Sequence, residues 1–356
     1  MTPRLILWSL VLLLLLTACL PPDLPSVVKI GLVAPFEGRY RYIGYDAIYA
    51  ARLAVREINA AGGAGGRRLE LVAYDDRCDT DLAQDAARNL SVAPDVVGVI
   101  GHYCQDSTAA VAPLYTEAGL PLIVVGAWLT ESTTSAWHLM PPPTALAEIM
   151  VQMEPGVPSV GLWGAGPLIE ALEVVTIADE NRTLYPADAV PRPEIVFSAL
   201  PPVEAAEQLV TWRSSGWAGS LIGGPTLASS EFVEVAGEDA ERVRFVTPYP
   251  LPQDLLYTKQ WIADYRKVGP HVPEPGPYAL PTYEAVYLLA EAIAAGATQD
   301  DIDRGGVARA LPEVTREGLL GRITWDAGAF WEEAAIYRYR WSEGQPFLTT
   351  PSGAGN

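Results

Sequence analysis

The chain of 356 residues is 49% apolar, 19% charged and 9% aromatic, which is typical of a globular protein long enough to form two domains. With 24 basic and 43 acidic residues, its formal net charge of −19 argues against binding to the phosphates of nucleic acids. The three histidines, His102, His138 and His271, lie far apart in the sequence and leave little material for a metal site. We therefore expect no nucleic-acid partner, no metal and no other cofactor.

The N-terminus has the pattern of an export signal. Arg4 is followed by an apolar run over residues 5–16, which is shorter than the ~20 residues that span a bilayer. The run ends in the letters LTAC, which resemble the bacterial lipobox, where a peptidase cleaves before a cysteine that then carries lipid. We predict a signal peptide over residues 1–18, lipid on Cys19 and a Pro-rich tether over residues 19–26. An ordinary secretory signal with a coincidental cysteine is the alternative.

Two further cysteines, Cys78 and Cys104, form an even pair in a chain whose signal directs it to an oxidising compartment. A redox or zinc role would need a CxxC motif or a Cys/His cluster, and the sequence has neither. We therefore predict a structural disulfide between them. Because no later apolar run reaches spanning length, we expect the body of the protein to be soluble, extracytoplasmic and tethered by its lipid.

Strand and helix patterns alternate from residue 27 to residue 125. Runs of β-branched residues predict strands, and apolar residues at helical spacing predict helices. The predicted strands are 27–34, 68–74, 96–101 and 122–125, and the predicted helices are 48–58, 81–90 and 106–117. Strands that are separated by helices in this way indicate a parallel, doubly wound α/β sheet.

The rest of the chain indicates a second lobe with two Pro-rich connections to the first. These connections are predicted at residues 140–143 and 247–252. The predicted strands are 160–163, 195–197, 220–223, 321–325 and a last strand over 334–341, and the clearest helices are 204–212, 255–266 and 283–295. The small, polar residues from Thr349 onward predict a frayed tail.

Motifs that carry chemistry are mostly absent. The glycine-rich residues 61–66 follow a helix and are not followed by Lys-Ser/Thr, so they indicate a helix-to-strand turn, not a phosphate-binding loop. No GxSxG, HExxH or SxxK signature occurs. Asp75 and Asp76 allow a metal site or an acid pair, but a capped loop after a strand is the favoured interpretation. We therefore do not expect an enzyme.

Aromatic residues cluster after predicted strand ends. Tyr40, Tyr42, Tyr45 and Trp128 all fall on segments that we predict to be loops following strands. In open α/β sheets, ligands bind at the edge where parallel strands end. Any one of these side chains is more commonly a packing residue, but as a group they predict a cleft lined by aromatic rings.

Five sequence motifs carry a family resemblance. They are INAAGG at 58–63, YDDRCD at 74–79, VIGHYCQDST at 99–108, VAGE at 235–238 and LGRITWD at 320–326. Together they resemble the leucine/isoleucine/valine-binding branch of the type I periplasmic binding proteins. The resemblance is good over roughly residues 28–135 and 230–330. It is weak over residues 150–225, where the second lobe looks shortened by about one strand and one helix.

The resemblance implies an α/β fold with two Rossmann-like, doubly wound lobes joined by three crossovers. The expected boundaries are 27–141 with 250–322 for the N-terminal lobe, 142–249 with 323–348 for the C-terminal lobe, and 349–356 for the tail. It also implies a substrate-binding lipoprotein of an ABC importer. Such a protein captures a small solute, for example an amino acid or amide, and delivers it to permease subunits. We expect a monomer, held to the bacterial cell membrane or outer membrane only by its lipid.

The positions that contact ligand in the family differ in this chain. Relatives have a serine after the second cysteine, where this chain has Gln105, and at the next strand end they have alanine and threonine, where it has Gly126 and Trp128. Thr226 falls where relatives place the acid that pairs with the ammonium of the ligand. Burying an ammonium without a carboxylate costs several kcal/mol. We therefore expect a ligand other than a plain branched-chain amino acid.

The predicted ligand site lies in the interlobe cleft, where the third and fourth strands end. Its residues are Tyr42, Gln105, Asp106, Ser107, Gly126, Ala127, Trp128 and Thr226. Asp106 is alternatively the N-cap of the helix that follows. A ligand sensor or scaffold lipoprotein with the same fold and no transport role is the alternative function.

Overall fold

The computed structural model describes residues 26–129, 135–186, 188–190, 192–297 and 302–352. The predicted signal peptide, Cys19 and nearly all of the predicted tether lie outside these residues. In the described residues, no helix combines the length and the apolar character needed to cross a membrane.

The strands of the described chain are β1 (Val27–Ala34), β2 (Arg68–Asp75), β3 (Val96–Gly101), β4 (Leu122–Val124), β5 (Ala136–His138), β6 (Ser159–Trp163), β7 (Thr183–Pro186), β8 (Ile195–Ser198), β9 (Ser220–Gly223), β10 (Arg244–Thr247), β11 (Arg316–Gly318), β12 (Gly321–Ile323), β13 (Ile336–Ser342) and β14 (Gln345–Ser352). Its α-helices are α1 (Arg41–Ala60), α2 (Thr80–Val92), α3 (Gln105–Glu117), α4 (Pro143–Gln152), α5 (Pro167–Ile177), α6 (Pro202–Ser214), α7 (Ser230–Ala236), α8 (Lys259–Tyr265), α9 (Ala279–Gly296) and α10 (Arg304–Ala310).

The first sheet is parallel and has the strand order β2-β1-β3-β4-β5. Its strand β3 is buried at every position, as expected for a strand covered on both faces. Helices α1 and α9 cover one face and α2 and α3 cover the other, so that two separate apolar clusters form. A Cβ built at Gly98 on β3 would lie 2.8 Å from the side chain of Leu289 on α9, which shows how closely that helix approaches the sheet. The predicted doubly wound α/β fold is confirmed.

The second sheet has the order β14-β13-β10-β9-β8-β6-β7. Strands β6 to β10 are parallel, and the β13–β14 hairpin adds two antiparallel strands at one edge. Helices α4 and α5 pack on one face, and α6 and α7 on the other. Among the described residues this sheet has seven strands and the first has five.

The chain passes between the two sheets along three neighbouring segments. These segments follow β5, β10 and β12. The Tyr249 hydroxyl, in the second segment, donates to the Leu139 carbonyl in the first at 2.6 Å. The Trp331 N–H, in the third, donates to the His138 carbonyl at 3.1 Å. The three crossovers are therefore joined by hydrogen bonds.

Two sequence predictions about elements are wrong. Helix α1 begins at Arg41, before the predicted residue 48, so Tyr42 and Tyr45 lie on a helix and not on a loop. Residues 349–352 of the predicted tail belong to β14, which pairs with β13 as far as Ser352. The cause is a two-residue turn at Glu343 and Gly344, both with positive φ, which is the geometry that folds a strand back on its neighbour.

Candidate functional site

A cavity of about 250 Å³ lies between the two lobes. Its first-lobe wall comes from the start of α1, the ends of β3 and β4, and the start of α9. Gly126, just after β4, has φ +83°, and a Cβ there would lie 2.9 Å from the ring of Tyr278. Only glycine therefore lets the aromatic ring approach the strand end, and the wall is built by close packing.

The Gln105 side chain is bonded to the main chain of Trp128. Its Nε2 donates to the Trp128 carbonyl at 2.5 Å, and its Oε1 accepts the Trp128 N–H at 3.1 Å. The indole Nε1 of Trp128 in turn donates to the Pro141 carbonyl at 3.0 Å. Both residues line the cavity, so the first turn of α3 fixes the segment after β4.

Three tyrosines line the same wall, of which Tyr103 and Tyr278 are buried and Tyr42 is half-buried. The Tyr278 ring lies between those of Tyr42 and Tyr103, with centroids 6.4 Å and 6.0 Å away. The Tyr103 hydroxyl shares a 2.7 Å hydrogen bond with Thr282. Burial raises the pKa of all three phenols, so each remains a neutral hydrogen-bonding group at physiological pH.

The second-lobe wall is built from small residues and prolines. Helices α5 and α6 both begin at the cavity with a proline, Pro167 and Pro202, whose fixed φ suits the first helical position. The remaining members of this wall are Ala165, Leu168, Ala199, Pro201, Gly224, Pro225 and Thr226. The Thr226 hydroxyl donates to the Leu200 carbonyl at 3.0 Å. This wall therefore offers a ligand mainly apolar surface.

The two lobes contact each other at the rim of the cavity. There, Arg39 of the first lobe forms a 2.8 Å ion pair with Glu204 on α6. Both side chains are about half exposed, so solvent weakens this ion pair.

A buried network supports the loop that leads into α3. His102 Nδ1 lies 2.9 Å from Asp76 Oδ2, and His102 Nε2 lies 2.9 Å from the Tyr115 hydroxyl. The side chains of His102 and Asp76 are fully buried. The predicted disulfide between Cys78 and Cys104 is present, with a Cα–Cα distance of 5.5 Å. Because Cys104 is also the N-cap of α3, this network fixes the start of the helix that carries Gln105.

A second, larger cleft of about 760 Å³ lies beside the cavity, and Tyr42 lines both. Asp46 on α1 is buried in the wall of this cleft and accepts the N–H groups of Gly276 and Tyr278, at 2.9 Å and 3.1 Å. Burial raises the pKa of Asp46 to about 7, although the two hydrogen bonds act to lower it. Asp46 thus fixes the main chain from which the Tyr278 ring extends into the wall of the smaller cavity.

Six of the eight predicted ligand-site residues line the cavity: Tyr42, Gln105, Asp106, Gly126, Trp128 and Thr226. Ser107 does not, since its hydroxyl points back to the Cys104 carbonyl, and Ala127 is buried under α3. Asp106 is not the N-cap of α3, because the helix begins one residue earlier.

Sequence reasoning missed Tyr103, Tyr278 and the second-lobe prolines. The tyrosines come from segments far apart in the chain, and their convergence has no local pattern. The prolines at the starts of α5 and α6 had a usable signal, since proline is common at the first helical position.

Comparison with known proteins identifies the family of this chain. A family model described as periplasmic binding protein matches residues 27–164 and 189–345. The Leu/Ile/Val-binding protein of Escherichia coli K12 is 26% identical over 328 residues, which cover 84% of this chain and 86% of that protein. This relative is a binding protein, which supports the prediction that the chain is not an enzyme.

Two solved structures share the architecture. The substrate-binding protein LivJ of Streptococcus pneumoniae, in complex with isoleucine, is 22% identical with a TM-score of 0.77, covering 92% of this chain and 99% of that one. The leucine-binding protein LivK of Thermotoga maritima is 18% identical with a TM-score of 0.79, covering 91% and 98%. The chain therefore belongs to the periplasmic binding protein family, with the type I fold, and this membership implies an extracytoplasmic location.

Proposed function

We propose that this protein is the solute receptor of an ABC importer, tethered to a bacterial membrane by lipid on Cys19. It captures a small solute between its lobes and presents the closed complex to permease subunits. The ligand contacts come from Tyr42, Asp106, Gly126, Trp128 and Thr226, with Gln105 holding Trp128 in place.

The observation that carries this proposal is the cavity of about 250 Å³ that is lined by residues of both lobes. A site built from two lobes couples binding to closure, because a solute gains its full set of contacts only when the lobes meet. The cavity lies below the 300–1,000 Å³ usual for drug-sized ligands, so the solute is small. The names of the relatives support the same class, since the Escherichia coli protein is a Leu/Ile/Val-binding protein.

A thermal-shift screen of the full mature chain against amino acids, amides and organic acids tests the binding function. We expect a stabilising solute, with calorimetry giving its affinity. Trp128→Ala should then weaken that affinity by about 1–3 kcal/mol, because Trp128 is a desolvated anchor. Trp217→Ala, which removes an indole bonded to Pro193 outside the cavity, is the matched control and should leave affinity unchanged. Equal affinity in wild type and Trp128→Ala would place the site elsewhere.

Uptake of the labelled solute tests the transport role. A strain that lacks this protein should lose uptake, and the wild-type gene should restore it. Trp128→Ala should restore uptake in proportion to its remaining affinity. Solute binding with normal uptake in the deletion strain would instead indicate a sensor.

A further inference from the structure

The charged side chains at the interlobe cavity are acidic. Among the described residues that line it, Asp106 is the one charged side chain. Helices α3, α5 and α6 begin at the cavity, and each has an acid in its first turn, Asp106, Glu170 and Glu204, which offsets the positive end of the helix. Arg39 at the rim is paired with Glu204 and adds no free positive charge. The side chains therefore favour a cation over an anion.

The neighbouring cleft of about 760 Å³ has the same sign of charge. Arg41 is the one basic side chain among the described residues that line it, and the acids there are Asp46, Glu231, Glu234 and Glu274. Glu274 is paired with Arg266, and burial raises the pKa of Asp46 to about 7. Glu231 and Glu234 remain against Arg41. Acidic side chains thus outnumber basic ones in this cleft as well.

Aromatic rings form much of the first-lobe wall of the cavity. The five that line it are Tyr40, Tyr42, Tyr103, Trp128 and Tyr278. The face of an aromatic ring is electron-rich and attracts cations, most strongly where water is excluded. One such contact exists at the rim, where the guanidinium carbon of Arg39 lies 5.7 Å from the centre of the Tyr40 ring. In the described part of the chain, no arginine or lysine lies over the other four rings.

The hydrogen-bonding groups of the cavity decide which kind of cation fits. A primary ammonium has three N–H donors and holds water strongly, so enclosing it requires several acceptors. The described second-lobe wall has no carboxylate, and its one side-chain hydroxyl, on Thr226, already donates to the Leu200 carbonyl. A quaternary ammonium has no N–H, and its methyl groups pack against rings and prolines, so that it needs no acceptors.

We propose that the solute is a small organic cation whose nitrogen carries methyl groups in place of N–H donors. Its cationic head packs against the rings of Tyr42 and Trp128, and the exposed carboxylate of Asp106 supplies the opposite charge. The rest of the solute packs against the second-lobe prolines. This inference rests on the proposed receptor function and names its solute class.

Matched compounds test the solute class by calorimetry on the full mature chain. The cations are choline and acetylcholine, and each is paired with the uncharged compound in which a carbon atom replaces the nitrogen. Ethanolamine has the primary ammonium in place of the quaternary one. We expect at least one cation to bind about tenfold or more tightly than its uncharged partner, and choline to bind at least about tenfold more tightly than ethanolamine.

The outcomes separate this inference from the receptor function. Equal binding of cation and uncharged partner, tighter binding of ethanolamine, or no binding of either cation overturns the inference. The receptor function stands if any solute of the wider screen binds. If no compound of either set binds, both fail.

Variants of Tyr42 test the aromatic contact with the tighter cation. Tyr42→Leu removes the ring, so the ratio of affinities for the cation and its uncharged partner should fall about fivefold. Tyr42→Phe keeps the ring and should keep this ratio. Tyr257→Leu, at an exposed tyrosine that lines neither site, is the control. A lost contact that was only apolar would weaken both compounds equally, so an unchanged ratio in Tyr42→Leu would contradict the inference.

Asp106→Asn tests the opposite charge. It should weaken the cation roughly threefold at low salt and leave the uncharged partner unaffected, because the carboxylate is exposed and partly screened. Asp85→Asn, at an acid that is 70% exposed on α2, is the matched control and should change neither affinity. An Asp106→Asn variant that binds the cation as tightly as wild type would show that the carboxylate does not take part.

Discussion

Two hydrogen bonds join the side chain of Gln105 to the main chain of Trp128. The Gln105 amide donates to the Trp128 carbonyl and accepts from the Trp128 N–H. The pair joins the start of α3 to the segment after β4, two strand ends that are neighbours in the first sheet. These bonds attach the segment after β4 to the start of α3 where both line the cavity. Gln105 thus contributes to ligand binding mainly by positioning Trp128.

We predict that Gln105→Met, which keeps the size of the side chain and removes both bonds, weakens solute binding roughly tenfold. The Trp128 amide should also exchange its hydrogen faster, because it loses its acceptor. Hydrogen exchange followed by mass spectrometry on peptides that contain Trp128 measures this. Gln260→Met, on the exposed face of α8, is the control. Weaker binding with unchanged exchange would mean that Gln105 contacts the solute directly.

The disulfide between Cys78 and Cys104 should contribute to stability. The cysteines are 26 residues apart, and closing a loop of this length stabilises a protein by about 3.5 kcal/mol, because the bond reduces the conformational entropy of the unfolded chain. Thiol titration of the unfolded, unreduced protein should find neither cysteine free. The double variant Cys78→Ala/Cys104→Ala should unfold at lower urea concentration with the same fold. Two free thiols would exclude the bond.

Asp46 should make stability depend on pH. Its pKa is raised from 3.8 to about 7, so the folded protein holds a proton that the unfolded chain releases between these values. The contribution of Asp46 to the free energy of unfolding therefore falls as the pH rises from about 4 to about 7, by about 4 kcal/mol at most, and is constant above. The charges around Asp46 include Glu231, which raises its pKa further.

Urea unfolding of wild type and Asp46→Asn from pH 4 to pH 8 isolates this effect. As the pH rises, the free energy of unfolding of the wild type should fall relative to that of Asp46→Asn, because asparagine does not titrate. Asp85→Asn, with a side chain that is 70% exposed, should show no such trend. A difference that is independent of pH would mean that Asp46 is ionised throughout.

Lipid on Cys19 predicts a simple fractionation result. The wild-type protein should sediment with membranes and partition into detergent, and Cys19→Ala should be released in soluble form. The reason is that several acyl chains on one residue hold a protein firmly, whereas the rest of the chain gives no comparable apolar anchor in its described helices. Membrane retention of Cys19→Ala would refute the lipobox interpretation.

The sheet of the first lobe was predictable because its signals are local. Buried parallel strands such as β3 are continuous β-branched runs, and the helices between them have clear apolar spacing. The start of α1 was not predictable, because its first turn is Arg41 to Gly44 with an aromatic residue and a glycine, a composition closer to a loop. Strand β14 was missed because pairing with β13 outweighs its polar sequence.

The candidate site was predictable where topology alone decides. Residues after β3 and β4 must meet at the edge where parallel strands end, so Gln105, Gly126 and Trp128 followed from strand assignment. The bonding of Gln105 to Trp128 did not, because a sequence does not show which of several partners an amide will choose. Tyr278 was also missed, since it reaches the wall only through the long return of the chain from the second lobe.

Helix α9 has a consequence for how the molecule is assembled. It covers one face of the first sheet, with Leu289 against Gly98, although the whole parallel part of the second sheet precedes it in the chain. During synthesis and export, β1 to β5 emerge long before this helix, and the apolar face that it covers stays open until then. The N-terminal lobe is therefore completed only after the parallel part of the second sheet has been made, and shortly before the β13–β14 hairpin completes that sheet. An unfinished chain remains a substrate for translocation and chaperones until its final third has appeared.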